Sequence, residues 1–360
     1  MARNKPENRI TYERKDELPM VSILMSVHNE ENVIREKIES IYNTSYPRDK
    51  IEVLIGSDHS TDHTNEICKS YSQRIRGFRF IPFDKRSGKP FVINQLYREA
   101  KADILVLTDA KVFFTPDTIF ELIKHFKNRK IDIVGGNIIN QKTRIDGISK
   151  QEKAFMSREI HIKYNEGLIW QKTIGVYGAI YAIRKEKFAP IPDGFSVDDF
   201  YISMHVLKRN GKVIMELKAL TVEEVPNLIS TEFRRKVRIS AGNFQNLTEF
   251  FSCLFPPWSP LAFAFFSHKV IRWLGPIIIL LIIISNIFLL NIGLLYQLSF
   301  LILIFFLSLP LIDLFLRKFN IHVVFLRFVT HFLSMNLALL LGFIKQLLGI
   351  KTYIWQPTKR

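Results

Sequence analysis

The stretch VSILMSVHNEENVIREKIESIY, residues 21–42, decides the fold. Val21 to Val27 is a short apolar run suited to a strand buried on both faces, because a half-buried strand would alternate polar and apolar side chains. The polar cluster His28-Asn29-Glu30-Glu31-Asn32 follows at once. Val33, Ile34, Ile38 and Ile41 then recur at helical spacing, which predicts a helix over Glu31 to Tyr42. Strand, polar loop and helix form one unit of an α/β domain.

The unit repeats along the chain. Ile51 to Ile55, Phe78 to Ile81, Asp103 to Leu107 and Ile131 to Gly136 are further predicted strands, and Asn65 to Tyr71, Pro90 to Glu99 and Asp117 to Phe126 are the helices between them. Short strands separated by single helices predict an α/β fold with a mostly parallel central sheet covered on both faces. Ligands of such sheets bind outside the carboxyl ends of the strands. Polar clusters fall there: HNEEN after the first strand, SDHSTDHT (57–64) after the second, KRSGK (85–89) after the third and TDAK (108–111) after the fourth.

Beyond about Phe250 the character changes. LGPIIILLIIISNIFLLNIGLLYQ, residues 274–297, carries no charged side chain, and Leu298 to Leu316 carries only Asp313. Each is long enough to cross a hydrocarbon layer of about 30 Å. A third segment, Ile321 to Ile350, contains His322, Arg327, His331 and Lys345, so two firm spans are expected, with a third segment that crosses or re-enters. FFSCLFPPWSPLAFAFFSHKVIR, residues 250–272, mixes aromatics, prolines and basic groups as an interfacial or re-entrant segment does. The predicted organisation is an N-terminal arm (1–19), a catalytic domain (20–249), the interfacial segment (250–272), a membrane region (273–350) and a basic tail (351–360).

The formal charge of +16 suits anionic headgroups or a phosphorylated substrate. No nucleic-acid-binding pattern accompanies it, and no nucleic acid partner is expected. Cys68 and Cys253 share no redox or metal spacing. The opening MARNKPENRITYERKDE has no apolar stretch, so the catalytic domain of this integral membrane protein is expected on the cytoplasmic side.

Together the clusters and their strand contexts resemble the membrane-bound family 2 glycosyltransferases of GT-A fold, relatives of the cellulose, hyaluronan and poly-N-acetylglucosamine synthases. The resemblance covers roughly residues 20–247 and the membrane tail. It implies inverting transfer of a sugar from a nucleoside-diphosphate donor, with UDP as the expected carrier, to a lipid-linked or saccharide acceptor. A processive polysaccharide synthase subunit and an inactive membrane scaffold are the alternatives.

The resemblance assigns nucleotide binding to Glu30 and Asp58, although this chain has His59 where the family has glycine. Lys85, Arg86 and Lys89 form a basic turn that can meet diphosphate. Asp62 caps the next helix or joins the nucleotide site. Asp109 matches the first acid of the family's DxD motif, which implies Mg²⁺ or Mn²⁺, and Lys111 replaces the second acid. Either Asp109 holds the metal with help from elsewhere or the Lys111 ammonium supplies part of the charge.

The glycine-interrupted GVYGAIYAI (175–183) would let a sugar approach backbone. The pair Asp198-Asp199 matches the family's acidic pair, with Asp199 as general base. Inverting transfer requires one carboxylate to take the acceptor's proton while its oxygen attacks from the face opposite the leaving group. Arg235 and Arg238 share a helix face and match the arginines of a Q/R-x-x-R-W motif, with Ile239 in place of tryptophan. The missing indole favours a non-processive enzyme. A membrane-protein partner or a homo-oligomer would supply a channel if a polymer is made.

Overall fold

The computed structural model describes residues 10–141, 149–224 and 229–349, so the basic tail and the first residues of the arm lie outside the described residues. Eight strands form one sheet: β1 (Val21–Val27), β2 (Ile51–Asp58), β3 (Phe78–Phe83), β4 (Ile104–Thr108), β5 (Phe113–Phe114), β6 (Ile133–Gln141), β7 (Ile180–Arg184) and β8 (Val213–Glu224). Their order is β3-β2-β1-β4-β7-β6-β8-β5. The β3-β2-β1-β4 half is parallel throughout, as the alternating sequence predicts. In the other half β7 runs antiparallel to both β4 and β6, while β6 and β8 are parallel. Among the described residues, β7 near the centre and the short edge strand β5 thus run against the rest of a largely parallel sheet.

Helices α1 (Ile34–Tyr42), α2 (Thr64–Arg74) and α3 (Lys89–Glu99) are the crossovers of the first half, and α4 (Thr118–Ile123) lies between β5 and β6 and packs on β8. Strands β1, β2 and β4 are buried almost without interruption, β2 at every position, while the edge strand β3 is only partly buried. Apolar runs without alternation thus reflect a sheet covered on both sides. The long helix α5 (Ser149–Trp170), then α6 (Asp198–Lys208) and α7 (Ile229–Glu249), complete the domain.

Gly56 sets how closely α3 lies on β2. A Cβ there would stand 2.4 Å from Cγ1 of the fully buried Val92, with Phe83 and Leu96 also in contact. Gly56→Ala is therefore expected to cost about 1–3 kcal/mol by overpacking, read as a lower melting temperature in detergent. An unchanged melting temperature would mean that α3 can shift outward without penalty.

After the domain, α8 (Pro260–Phe265) passes through a π-type turn at Phe266–Val270 into α9 (Ile271–Trp273). The chain then bends by 60° into α10 (Gly275–Leu289). Among the described residues, α11 (Leu294–Lys318) and α12 (Val324–Leu347) are the two single helices long and apolar enough to cross a membrane. This alters the predicted assignment, which made the first apolar run a firm span. The α10 helix has 15 residues, a rise of only about 22 Å. Together with α8 and α9 it makes a broken span or a re-entrant element.

The third segment is a full helix because its charge is matched. Arg327 Nε lies 3.1 Å from Asp313 Oδ1 of α11, and Arg327 also meets His322 Nδ1 at 2.8 Å. A paired guanidinium is far less costly in an apolar layer than a lone one. The apolar helices anchor a large folded domain to the membrane, and α12 packs along α7, so the anchor is continuous with the domain.

Candidate active site at the strand ends

The loops after β1 and β2 are tied to each other before any ligand enters. His28 Nδ1 lies 2.8 Å from the Asp58 carbonyl, the Asn29 N–H donates to Ser60 Oγ, and the Thr61 N–H donates to Asn29 Oδ1 at 2.8 Å. Asn29 and His59 take positive φ, 54° and 57°. His59 therefore occupies a backbone conformation that favours glycine, which accounts for the residue the family pattern places there. Asp62 accepts from the Glu31 and Thr64 N–H groups and so ties the first turn of α2, the capping alternative of the sequence.

Asp58, the residue assigned to the nucleotide, also organises the neighbouring loop. Its two carboxylate oxygens accept the N–H groups of Ser87 and Gly88 at 2.7 and 2.9 Å. It thereby shapes the basic turn and fixes the start of α3. Lys85 is exposed on that turn and Arg86 is half-buried. A cleft of ≈270 Å³, lined by Ser87, Pro90, Phe91 and Asp193 to Phe195, opens beside it.

Lys89 is the centre of the site. From the first turn of α3 its ammonium reaches Asp109 Oδ1 at 2.9 Å and Asp198 Oδ2 at 3.3 Å. Burial alone would lower its pKa, but Asp109 and Asp198 hold it well above the ordinary lysine value. One cation thus joins the loop after β4 to the start of α6. Asp109 itself is half-exposed, with a side chain 46% accessible. Lys111 instead turns to the buried Glu30, 3.4 Å away, so Glu30 is held by this ion pair.

A buried lysine supports the Asp109 loop from below. Lys37 of α1 is fully buried, donates to Thr108 Oγ1 at 3.0 Å and to the Val112 carbonyl, and stands 3.7 Å from the Phe114 ring centroid. It brackets the Asp109-Ala110-Lys111 segment on both sides. Sequence reasoning misses it because the helix is read from Val33, Ile34, Ile38 and Ile41 alone, although Lys37 stands beside them at i+3 from Ile34.

Asp198 and Asp199 open α6. Asp199 accepts the Gly178 N–H at 2.7 Å and the Phe200 N–H at 2.8 Å. A Cβ on Gly178 would press to 3.1 Å from that carboxylate, so glycine at 178 serves the close approach of Asp199. Burial first, and then the neighbouring Asp198 charge, push the Asp199 carboxyl up, against the pull of Lys89 and Lys163. A carboxyl raised in this way suits a group that must accept a proton.

Arg238 of α7 is partly buried and is drawn electrostatically to Asp198, Asp109 and Asp199. Arg235, one turn earlier, is held by Glu232 at 3.3 Å. Among the predicted site residues, the structure gathers Lys89, Asp109, Asp198, Asp199 and Arg238 into one region. Glu30 joins through Lys111, Asp58 and Arg86 shape the turn, and Lys85 and Arg235 sit on its margins.

The sequence pattern of the family described as "Glycosyl transferase family 2" matches residues 22–190, which spans the strand-end clusters. Over those residues the chain is similar to this family. Among curated relatives it is 26% identical over 267 residues to the probable glycosyltransferase YdaM of Bacillus subtilis, covering 70% of this chain and 61% of that protein. It is 24% identical over 254 residues to a poly-beta-1,6-N-acetyl-D-glucosamine synthase of Staphylococcus epidermidis, covering 68% of this chain and 60% of the relative. The match therefore spans about three fifths of those relatives' lengths.

Among solved structures, the mannosyltransferase PcManGT of Pyrobaculum calidifontis, described in complex with GDP-Man and Mn²⁺, superposes with a TM-score of 0.71 at 20% identity. That superposition covers 92% of this chain and 88% of the other, and it establishes the GT-A fold.

Proposed function

We propose that the protein is an inverting glycosyltransferase that moves a sugar from a nucleoside-diphosphate donor to a lipid-linked acceptor at the cytoplasmic face of the membrane. The observation that carries this reading is the placement of Lys89 between Asp109 and Asp198, with Asp199 next along α6. Cations that can meet a diphosphate therefore adjoin a carboxylate able to take a proton.

In the proposed reaction the acceptor hydroxyl loses its proton to Asp199 as its oxygen bonds to the sugar's C1. The bond from C1 to the diphosphate oxygen breaks on the opposite face, which inverts the centre. Lys89 and Arg238 are the groups that would meet charge developing on the departing diphosphate. A donor entering there would draw Lys89 partly away from Asp109.

The fold family implies Mg²⁺ or Mn²⁺. Asp109 offers one accessible hard carboxylate, which fits an ion held by a single protein side chain and the donor's own phosphates. Lys111 stands where a second ligand would be and cannot coordinate. No cluster of three or more His, Cys, Asp or Glu side chains suited to a metal occurs among the described residues. Asp109 would hold the ion, which would supply Lewis-acid stabilisation of the leaving phosphate. The metal is therefore expected to bind tightly only in company with the nucleotide.

UDP is the favoured carrier, and the relatives' descriptions make UDP-N-acetylglucosamine and GDP-mannose the first donors to try. A polymer would require a polar path through the membrane. The membrane helices are almost wholly apolar, with Phe288, Leu295 and Ile302 exposed on their surfaces, and this supports transfer of single sugars. The test is to supply radiolabelled UDP-, GDP- and dTDP-sugars to membranes containing the protein and to resolve the products. A single-sugar glycolipid with release of nucleoside diphosphate is expected. A long polymer would overturn the non-processive reading, and absence of both binding and turnover would leave a scaffold.

A further inference from the structure

Helix α5 carries Glu159, Lys163 and Glu166 along one face. Both glutamates are engaged by the segment between the domain and α10. His268 Nε2 meets Glu159 at 2.9 Å and its Nδ1 meets Glu166 at 2.7 Å, while Lys269 and Arg272 also pair with Glu159. Glu166 further accepts the Ile174 N–H at 2.9 Å, at the start of the glycine-rich stretch.

Lys163 is left differently. It is 3% exposed and makes no ion pair among the described residues, and its ammonium lies 3.6 Å from the centroid of the Tyr177 ring. Such a contact is worth most where water is excluded. The Tyr177 hydroxyl is buried without a hydrogen-bond partner, so the ring contributes its face and not its polar end. The next residue is Gly178, whose N–H holds Asp199.

Several charged groups face this ammonium. Burial, reinforced by Lys269 of the interfacial segment, brings the Lys163 pKa down to about 7, while Glu159 and Glu166 of its own helix and Asp199 of α6 pull it upward. From the other side, Lys89 and Lys163 both favour an ionised Asp199. Lys89 faces the donor and would be shared with a diphosphate. Lys163 lies beneath the protein surface and would not.

We propose that Lys163 is a positioning residue for Asp199: it braces the Tyr177-Gly178 turn that holds the carboxylate and balances its charge from inside the protein. The proposal rests on the reading of Asp199 as the general base. It assigns a role in transfer to α5, which carries none of the motifs read from the sequence. Because Glu159 and Glu166 bind the interfacial segment, the same helix joins the base to the membrane surface.

The test compares the full-length wild type with Lys163→Met and Lys163→Arg in detergent, using whichever of UDP-N-acetylglucosamine or GDP-mannose the wild type turns over. Lys163→Met should lower kcat about tenfold, leave donor KM within about twofold and move the acidic limb of the pH profile up by about one pH unit, as loss of a nearby cation requires. Lys163→Arg should bring the limb back. An unmoved limb in Lys163→Met, or an arginine variant that behaves like the methionine one, would overturn the proposal.

Should Lys163→Met fail to fold, Tyr177→Leu removes the same brace, and a normal limb and normal turnover there would overturn it. Asp199→Asn separates the two levels. If that variant is inactive while Lys163→Met matches the wild type, only the role of Lys163 falls; if it remains active, the assignment of the base falls as well.

Discussion

Asp199→Asn should lose roughly 10²- to 10⁴-fold in turnover while donor affinity changes little, because the amide has the carboxylate's shape without its ability to take a proton. The structure adds a structural cost that has to be measured alongside. Asp199 accepts two backbone N–H groups, from Gly178 and Phe200. An asparagine can accept only with its oxygen and must turn its NH₂ toward one of those donors, which costs about 1–3 kcal/mol where the group is buried. A melting curve in detergent therefore accompanies the kinetics, so that lost folding is not read as lost chemistry.

The pH dependence follows from the direction of the shift. The Asp199 carboxyl is raised above the usual range by burial and by Asp198, so wild-type turnover should fall as pH drops through that raised pKa. For stability the sign is opposite. A carboxyl whose folded pKa is raised contributes stability that is fully present below its unfolded pKa and is lost as pH rises through the folded pKa. The asparagine variant has no such loss and should gain on the wild type as pH rises through that window. Near-normal turnover in Asp199→Asn would transfer the role of base to Asp198 or remove it from the pair.

The strand-end chemistry was legible because it is local: an apolar run without alternation marks a buried strand, and the polar residues just after it face the ligand edge. That logic located Asp109 and Lys89, and the family resemblance supplied the Asp198-Asp199 pair. Partnerships across long sequence separations were not legible. Asp58 reads as a nucleotide-binding acid, and nothing local shows that its oxygens also accept the N–H groups of Ser87 and Gly88 in another loop. Lys163 was invisible because its partners come from Tyr177, Lys269 and Asp199, on three different elements. The i, i+4, i+7 spacing of Glu159, Lys163 and Glu166 was the available signal, a charged stripe on a helix that otherwise suggested a solvated face.

The membrane region shows the same limit. Charge counted along single segments made Ile321 to Ile350 the least certain span, yet Arg327 is matched by Asp313 on the preceding helix. Conversely, the uncharged run from Leu274 gave no sign of the bend that separates α9 from α10. Uniform apolarity establishes that a segment prefers lipid, and it leaves the break to Gly275-Pro276, where proline stands at the start of the new helix.

Lys89→Met should reduce kcat/KM by roughly 10²- to 10³-fold, the size expected for loss of one fixed group that meets charge in the transition state. Methionine keeps much of the stem's volume and removes the ammonium, so packing on the donor side changes little while charge changes fully. Three consequences should appear together. Asp109 and Asp198 lose the cation that now lies 2.9 and 3.3 Å from them. The acidic limb of the pH profile moves up, because Lys89 is a cation that holds the Asp199 pKa down.

The third consequence concerns folding. A lysine whose folded pKa is raised contributes stability that is fully present below its unfolded value, hence at neutral pH, and that contribution is lost in the methionine variant. Lys89→Arg should recover charge and stability but place the guanidinium imperfectly between two carboxylates set for a compact ammonium, giving partial activity. Calorimetric titration of nucleoside diphosphate completes the test, with weakened binding expected in Lys89→Met. Turnover within about threefold of wild type, with the limb unmoved, would show that the bridge from Asp109 to Asp198 is a structural tie outside the reaction. The donor's charge would then have to be met by Arg238 and the basic turn.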